Sequence, residues 1–335
     1  MSEMQRIGVV GGGAWGTALA QVAARAGRDV VLWAREPQVV ADINAIHENR
    51  TYLAGVTLDP VVRATGAFTD LAACDALLLV APAQFLRAVL ADLAAVLAAR
   101  VPVVLCAKGI EQGSGLLMTE VAAQVAPGRP LAVLSGPTFA AEVARGLPTA
   151  ITLACQSQAM GDQLMTALGQ TTFRPYWSDD LIGAEVGGAV KNVLAIACGV
   201  AAGRQLGENA RAALITRGYA EMLRFGLAKG AQAETLSGLS GLGDLILTCS
   251  STQSRNMSLG FAIGEGKRMD DILASRNSVA EGAYTAPVLL EAASRLGVDM
   301  PITEAVVDLL YNDAGVEATI ERLLRRPFKA ERVQP

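Results

Sequence analysis

The stretch Arg6-Ile-Gly-Val-Val-Gly-Gly-Gly-Ala-Trp-Gly16 decides the fold. Ile7 to Val10 is a short apolar run with a glycine in it, the length of a buried strand. Gly11-Gly-Gly-Ala-Trp-Gly16 then matches G-x-G-x-x-G, and a helical pattern through Leu19, Val22 and Ala23 follows, stopping at Gly27. In a strand-turn-helix of this kind each glycine has a separate task. Gly11 makes the sharp turn, Gly13 lets a pyrophosphate approach the backbone, and Gly16 lets helix and strand pack closely. The free N–H groups opening the helix supply donors and partial positive charge to a diphosphate. A second strand at Val30 to Trp33 completes a βαβ unit of dinucleotide-binding type.

Outward from this unit the first half keeps the same rhythm. Strands are expected at Ala76 to Val80, Val103 to Cys106, Ala132 to Leu134 and Ala150 to Leu153, with helices between them. Continuous apolar strands alternating with helices predict an α/β fold, a Rossmann-type, mostly parallel sheet covered on both faces. From about Glu185 long helical patterns take over, including Arg211 to Lys229, Pro287 to Gly297 and Thr303 to Tyr311. The expected organisation is therefore a dinucleotide-binding domain over 1–184 and an all-α substrate domain over 185–335. With 335 residues, two substantial cores are affordable.

Composition narrows the function classes. The chain is 52% hydrophobic and 18% charged, which argues against disorder. A net charge of -4 offers no basic field, so nucleic acid is not an expected partner. Five cysteines stand singly and there is one histidine, His47, in a polar stretch, so no metal cluster is expected. The start of the chain lacks the layout of a secretory signal, and buried reduced thiols suit a cytoplasmic setting. The most membrane-like stretch, Val186 to Gly203, carries Lys191 and Asn192 and does not read as a bilayer span.

Ligands of an open parallel sheet gather beyond the carboxyl ends of its strands. After Trp33 come Ala34, Arg35 and Glu36. A guanidinium there can pair with a 2′-phosphate, which favours NADP, while Glu36 keeps NAD open. Lys108 closes an apolar run ending at Cys106 and Ala107, and Ser135-Gly-Pro-Thr-Phe139 follows the next strand. Lys191 stands in a helical stretch from Gly187 to Ala197 that has no other ionisable group. Burial and neighbouring cations lower a lysine pKa towards neutrality, as proton transfer at a carbonyl requires. Asp244, in Gly241-Leu-Gly-Asp-Leu-Ile-Leu247, can orient Lys191, hold a substrate hydroxyl or cap a helix. Ser254-Arg255-Asn256 opens a helix and offers donors to a phosphate.

Gly11 to Ala20, Ser135 to Ala140, Gly188-Ala-Val-Lys-Asn192, Gly241 to Leu245 and Gln253-Ser-Arg-Asn256, in this order and spacing, resemble the bacterial NAD(P)-dependent glycerol-3-phosphate dehydrogenases. Asn209 to Arg217 and Met300-Pro-Ile-Thr303 extend the resemblance from Ile7 to Leu324. It implies reduction of dihydroxyacetone phosphate to glycerol 3-phosphate for phospholipid synthesis, in a cytoplasmic homodimer, with Lys191 as proton donor and acceptor and with Asp244 and Lys108 beside it. Lys108, Gly136, Thr138, Lys191, Asp244, Ser254, Arg255 and Asn256 would surround the substrate. Gly11, Gly13, Ala14, Trp15, Gly16, Arg35, Lys108, Ala140, Arg255, Val279 and Glu281 would contact the dinucleotide. At Ala14 relatives often carry Ser, so a side-chain bond to the cofactor is missing there. Two other readings fit the same motifs: a reductase of another short keto acid, and a non-catalytic dinucleotide sensor, which would have no need of Lys191 and Asp244.

Overall fold

A computed structural model of the chain describes residues 4–267, 271–272 and 280–327. The chain divides into two compact units, Met1–Ala107 with Met118–Leu181, and Lys108–Leu117 with Ile182–Pro335. The segment Lys108–Leu117 thus leaves the first unit and returns, and Ile110 and Leu117 are buried in the apolar core of the second.

The first unit is built on β1 (Arg6–Val10), β2 (Asp29–Trp33), β3 (Glu48–Asn49), β4 (Leu53–Thr57), β5 (Val62–Thr65), β6 (Ala76–Leu79), β7 (Val103–Leu105), β8 (Leu131–Ser135), β9 (Thr149–Ala154) and β10 (Phe173–Ser178). Eight of these form one sheet in the order β10-β9-β8-β7-β6-β1-β2-β5, and β3 and β4 form a small separate antiparallel pair. Every pairing in the large sheet is parallel except β8 with β9. The expected mostly parallel sheet is therefore present. Its inner strands are the continuous apolar runs: Leu77, Leu78 and Leu79 of β6 and Val103, Val104 and Leu105 of β7 have no exposed surface. Strands buried on both faces need no polar alternation.

Four strands are additional to those expected from the sequence, and each lacks the apolar run that marks the others. β5 and β10 are the two edges of the sheet. β5 reads Val-Arg-Ala-Thr, and β10 carries Arg174 and Pro175. Proline cannot donate to a ladder and is tolerated at an edge, where one side of the strand has no neighbour. The β3–β4 pair holds only two residues on its first strand, below the length at which a periodicity is visible.

The helices of this unit are α1 (Ala14–Arg25), α2 (Pro37–Ile46), α3 (Leu86–Val96), α4 (Met118–Val125), α5 (Ala140–Ala144) and α6 (Gln158–Leu168). α1 buries every residue from Gly16 to Ala24. Its last residue, Arg25, donates to the terminal carbonyls of α5, with Nη2 2.6 Å from Ala144 O. This satisfies acceptors that a helix end otherwise leaves open.

The second unit is helical: α7 (Leu181–Gly203), α8 (Gly207–Lys229), α9 (Ala233–Ser237), α10 (Asp244–Cys249), α11 (Arg255–Gly264), α12 (Glu281–Arg295), α13 (Pro301–Tyr311) and α14 (Val316–Leu324). Among the described residues α7 is the one helix long and apolar enough to cross a membrane, and most of it is buried within this unit. Small residues make that burial possible. A Cβ on Gly199 would lie 2.1 Å from Met257 O, and one on Gly260 would lie 1.9 Å from Ile196 O. The backbones of α7 and α11 therefore touch, which only glycine permits. The buried Glu221 of α8 accepts hydrogen bonds from the N–H groups of Ile302 and Thr303 and thereby caps α13. All five cysteines are free thiols and buried.

Candidate functional site

The glycine turn of the first unit has the shape its sequence implies. Gly11 lies at φ +129°, outside the range of ordinary side chains. A Cβ on Gly16 would lie 1.8 Å from Gly11 O, so helix and turn close on each other only without a side chain there. Gly13, the N-cap of α1, is exposed, and nothing lies within 4 Å of where its Cβ would point. The first N–H groups of α1 have no carbonyl one turn earlier to bond. Among the described residues, Trp15 Nε1 and Ser135 Oγ are buried polar atoms without a partner. An open glycine backbone and free helix donors fit a dinucleotide diphosphate at this turn.

Arg35 follows β2 with its side chain 77% exposed, and it bonds Glu36 at 3.2 Å. Such a surface pair is weak and readily exchanged. Gly136 is buried at the end of β8, Thr138 Oγ1 donates to Gly136 O, and Ala140 is the first residue of α5. Val279 lies outside the described residues.

The second unit assembles the ionisable residues singled out in the sequence. Lys191 is 5% exposed on α7, and its Nζ donates to Asp244 Oδ1 at 2.6 Å and to Thr248 Oγ1 at 2.9 Å. Lys108 Nζ donates to the other carboxylate oxygen, Asp244 Oδ2, at 2.8 Å. Asp244 is fully buried and bridges two lysines that are 83 residues apart in sequence (108 to 191). It opens α10, where the helix dipole favours a carboxylate, and Thr248 stands one turn later on the same face. Helix geometry thus aims Asp244 and Thr248 at one ammonium group.

Burial pushes the Lys191 ammonium down to about 8. Asp244 opposes that shift, but Lys108 competes for the same carboxylate and adds a second positive charge. Glu281, the first residue of α12, is raised by burial, and Arg255, Lys108 and Lys191 pull it back down. Three cations and two acids thus influence one another, and the excess positive charge suits an anionic ligand. Ser254 Oγ accepts from Met257 N and so caps α11, while Arg255 is exposed at the first position of that helix. Asn256 Nδ2 donates to Asn192 Oδ1, and Asn256 Oδ1 accepts from Gly282 N, tying α11, α7 and α12 together.

The sequence reading missed Thr248. Its signal was available in the i, i+4 spacing from Asp244 within one short helix. A large apolar cavity in the helical unit, about 1020 Å³, is walled by residues such as Leu214, Arg217, Ile302 and Leu323. Lys108, Lys191 and Asp244 do not line it.

The sequence matches two family models. One is the N-terminus of the NAD-dependent glycerol-3-phosphate dehydrogenases over residues 6–161, and the other is their C-terminus over residues 180–321. A glycerol-3-phosphate dehydrogenase of the NAD(P) type from Parvibaculum lavamentivorans is 58% identical over 327 residues, 98% of either chain. One from Caulobacter vibrioides is 57% identical, covering 98% of this chain and 99% of the other. The crystal structure of a glycerol-3-phosphate dehydrogenase from Coxiella burnetii superposes with a TM-score of 0.92 at 38% identity, covering 96% and 99% of the two chains. The chain therefore belongs to the NAD-dependent glycerol-3-phosphate dehydrogenase family.

Proposed function

We propose that Lys191 moves the proton in the interconversion of dihydroxyacetone phosphate and glycerol 3-phosphate. The observation that carries this reading is a buried amine with a pKa brought down to about 8 and aimed by Asp244 and Thr248. In the reducing direction the Lys191 ammonium gives a proton to the substrate carbonyl oxygen. In the oxidising direction the neutral amine takes the proton of the C2 hydroxyl. NAD(P)H supplies the hydride. Asp244 orients Lys191, and Lys108, by holding the second carboxylate oxygen, keeps Asp244 from pinning Lys191 in its charged form. Arg255, Asn256 and Ser254, with Gly136 and Thr138, hold the substrate phosphate and hydroxyls, so that catalysis comes from positioning as well as charge.

Gly11, Gly13, Ala14, Trp15 and Gly16 receive the diphosphate of the cofactor, and Ala140, Val279 and Glu281 contact its remaining parts. Arg35 favours NADPH by exchanging its surface partner Glu36 for a 2′-phosphate. The product serves phospholipid synthesis in the cytoplasm, and the working form is a homodimer. The test is turnover by the purified protein, with its mass measured by sedimentation. NADPH should be oxidised with dihydroxyacetone phosphate and hardly with ketopantoate, by a species of twice the chain mass. The reverse substrate preference would overturn the assignment.

A further inference from the structure

The glycines that let the turn approach a diphosphate also leave it free to present the wrong group. The peptide between Gly12 and Gly13 has no Cβ on either side, so it can rotate about its flanking bonds at small steric cost. A planar trans peptide points its carbonyl and its N–H in opposite directions. If the Gly12 carbonyl turned outward, an oxygen would meet the phosphate where an N–H is needed.

Two side chains meet that carbonyl, the Thr17 hydroxyl at 3.5 Å and, much closer, the Asn49 carboxamide. Asn49, on β3, has no exposed surface, and its Nδ2 donates to Gly12 O at 2.7 Å and to Thr17 Oγ1 at 2.8 Å. Its Oδ1 accepts from Tyr52 N at 3.1 Å, which fixes which end of the amide faces the turn. Gly12 is itself buried, and a Cβ there would lie 2.5 Å from Ala34 Cβ. With the carbonyl held inward, planarity sends the Gly13 N–H outward, where Gly13 is exposed. We infer that Asn49 is a positioning residue for cofactor binding: through Gly12 it fixes the peptide whose N–H meets the diphosphate. The small β3–β4 pair exists on this account to deliver a carboxamide beneath the turn.

The role is separable from a purely structural one. Asn49→Asp keeps the side-chain shape and the acceptor for Tyr52 N but sets an oxygen against Gly12 O. Its dissociation constant and KM for NADPH should rise about tenfold to a hundredfold, as expected for a lost and inverted buried hydrogen bond. At saturating NADPH, kcat and the KM for dihydroxyacetone phosphate should stay within a factor of about three, for lack of any contact with the proton-transfer group. Thr17→Ser serves as the paired variant. It keeps the hydroxyl that meets Asn49 Nδ2 and Gly12 O and removes only a buried methyl group, so it should lower the melting temperature and leave NADPH affinity unchanged.

Native NADPH affinity in a folded Asn49→Asp protein would overturn the inference. So would equal loss of NADPH affinity in both variants, which would mark Asn49 as part of the packing only. Should Asn49→Asp not fold, Asn49→Ser, with one shorter donor, is read by the same split between NADPH affinity and kcat. Because the readout is cofactor affinity, its failure is distinct from failure of the Lys191 reading, which appears in kcat.

Discussion

Replacing Lys191 by methionine separates chemistry from stability. Methionine matches the length of the lysine stem and needs no partner for a charge. Holding Lys191 at about 8 instead of 10.5 means that the folded chain disfavours the ammonium over the amine by about 3 kcal/mol. The sign follows from proton counts. Between about pH 8 and 10.5 the unfolded chain binds a proton at this site and the folded chain does not, so native stability rises with pH across that window. At neutral pH the native chain carries the whole penalty, and Lys191→Met removes it. Truncating one partner of a buried pair is ordinarily costly, but Asp244 keeps Lys108 at 2.8 Å and the Thr248 hydroxyl at 3.2 Å. The variant should therefore melt within a few degrees of wild type and bind NADPH normally, while kcat/KM falls by about a hundredfold to ten-thousandfold. In wild type, kcat/KM for glycerol 3-phosphate oxidation should rise with pH and level off above about 8, and the reduction should fall over the same range. Steady-state NADPH absorbance reads both profiles. Near-native turnover in the variant, or the same inflection persisting in its residual rate, would refute the assignment of the proton to Lys191.

Two other substitutions probe binding and stability. Arg35→Asp should raise the dissociation constant for NADPH by about tenfold or more while moving NADH less, because only the former carries the 2′-phosphate; equal effects in a fluorescence titration would show that Arg35 does not read it. Glu221→Ala should lower unfolding free energy by about 1–3 kcal/mol in urea titrations, since the N–H groups of Ile302 and Thr303 lose their buried acceptor. Burial raises Glu221 to about 7 against the pull of those donors, so between about 4.5 and 7 the folded chain holds a proton that the unfolded chain releases. Its contribution weakens as pH rises through that window, and the gap between wild type and variant should narrow from about pH 5 to about pH 8.

What the sequence made legible follows from where each signal resides. Strands buried on both faces are continuous apolar runs, so β1, β2, β6, β7, β8 and β9 could be read directly. The edge strands β5 and β10 and the β3–β4 pair are set by pairing with neighbours distant in sequence, and their residues Arg63, Arg174, Pro175 and Asn49 hide them. Lys191 was visible because a lone cation in an apolar helix is anomalous. Its pairing with Asp244, 53 residues on, and the second lysine on the same carboxylate are tertiary facts. The shared carboxylate matters most chemically, since a Lys191 with sole possession of Asp244 would be held more firmly as the ammonium. The alternatives of a keto acid reductase and a sensor shared the same motifs, and the matches over 6–161 and 180–321 decide for the glycerol-3-phosphate dehydrogenases.

The excursion Lys108–Leu117 bears on how such a protein can be divided or recombined. Because those ten residues belong with the helical unit, the chain passes from one unit to the other three times, and no single cut yields two self-sufficient pieces. A fragment beginning at Ile182 would lack Ile110 and Leu117 from its core and would leave Asp244 with one lysine where the intact chain gives it two. A gene fusion that exchanged the helical half alone would carry over Lys191 and Asp244 without the Lys108 of the same chain. The cluster of two lysines on one aspartate is therefore inherited as a property of the whole chain, and grafting it requires two segments to move together.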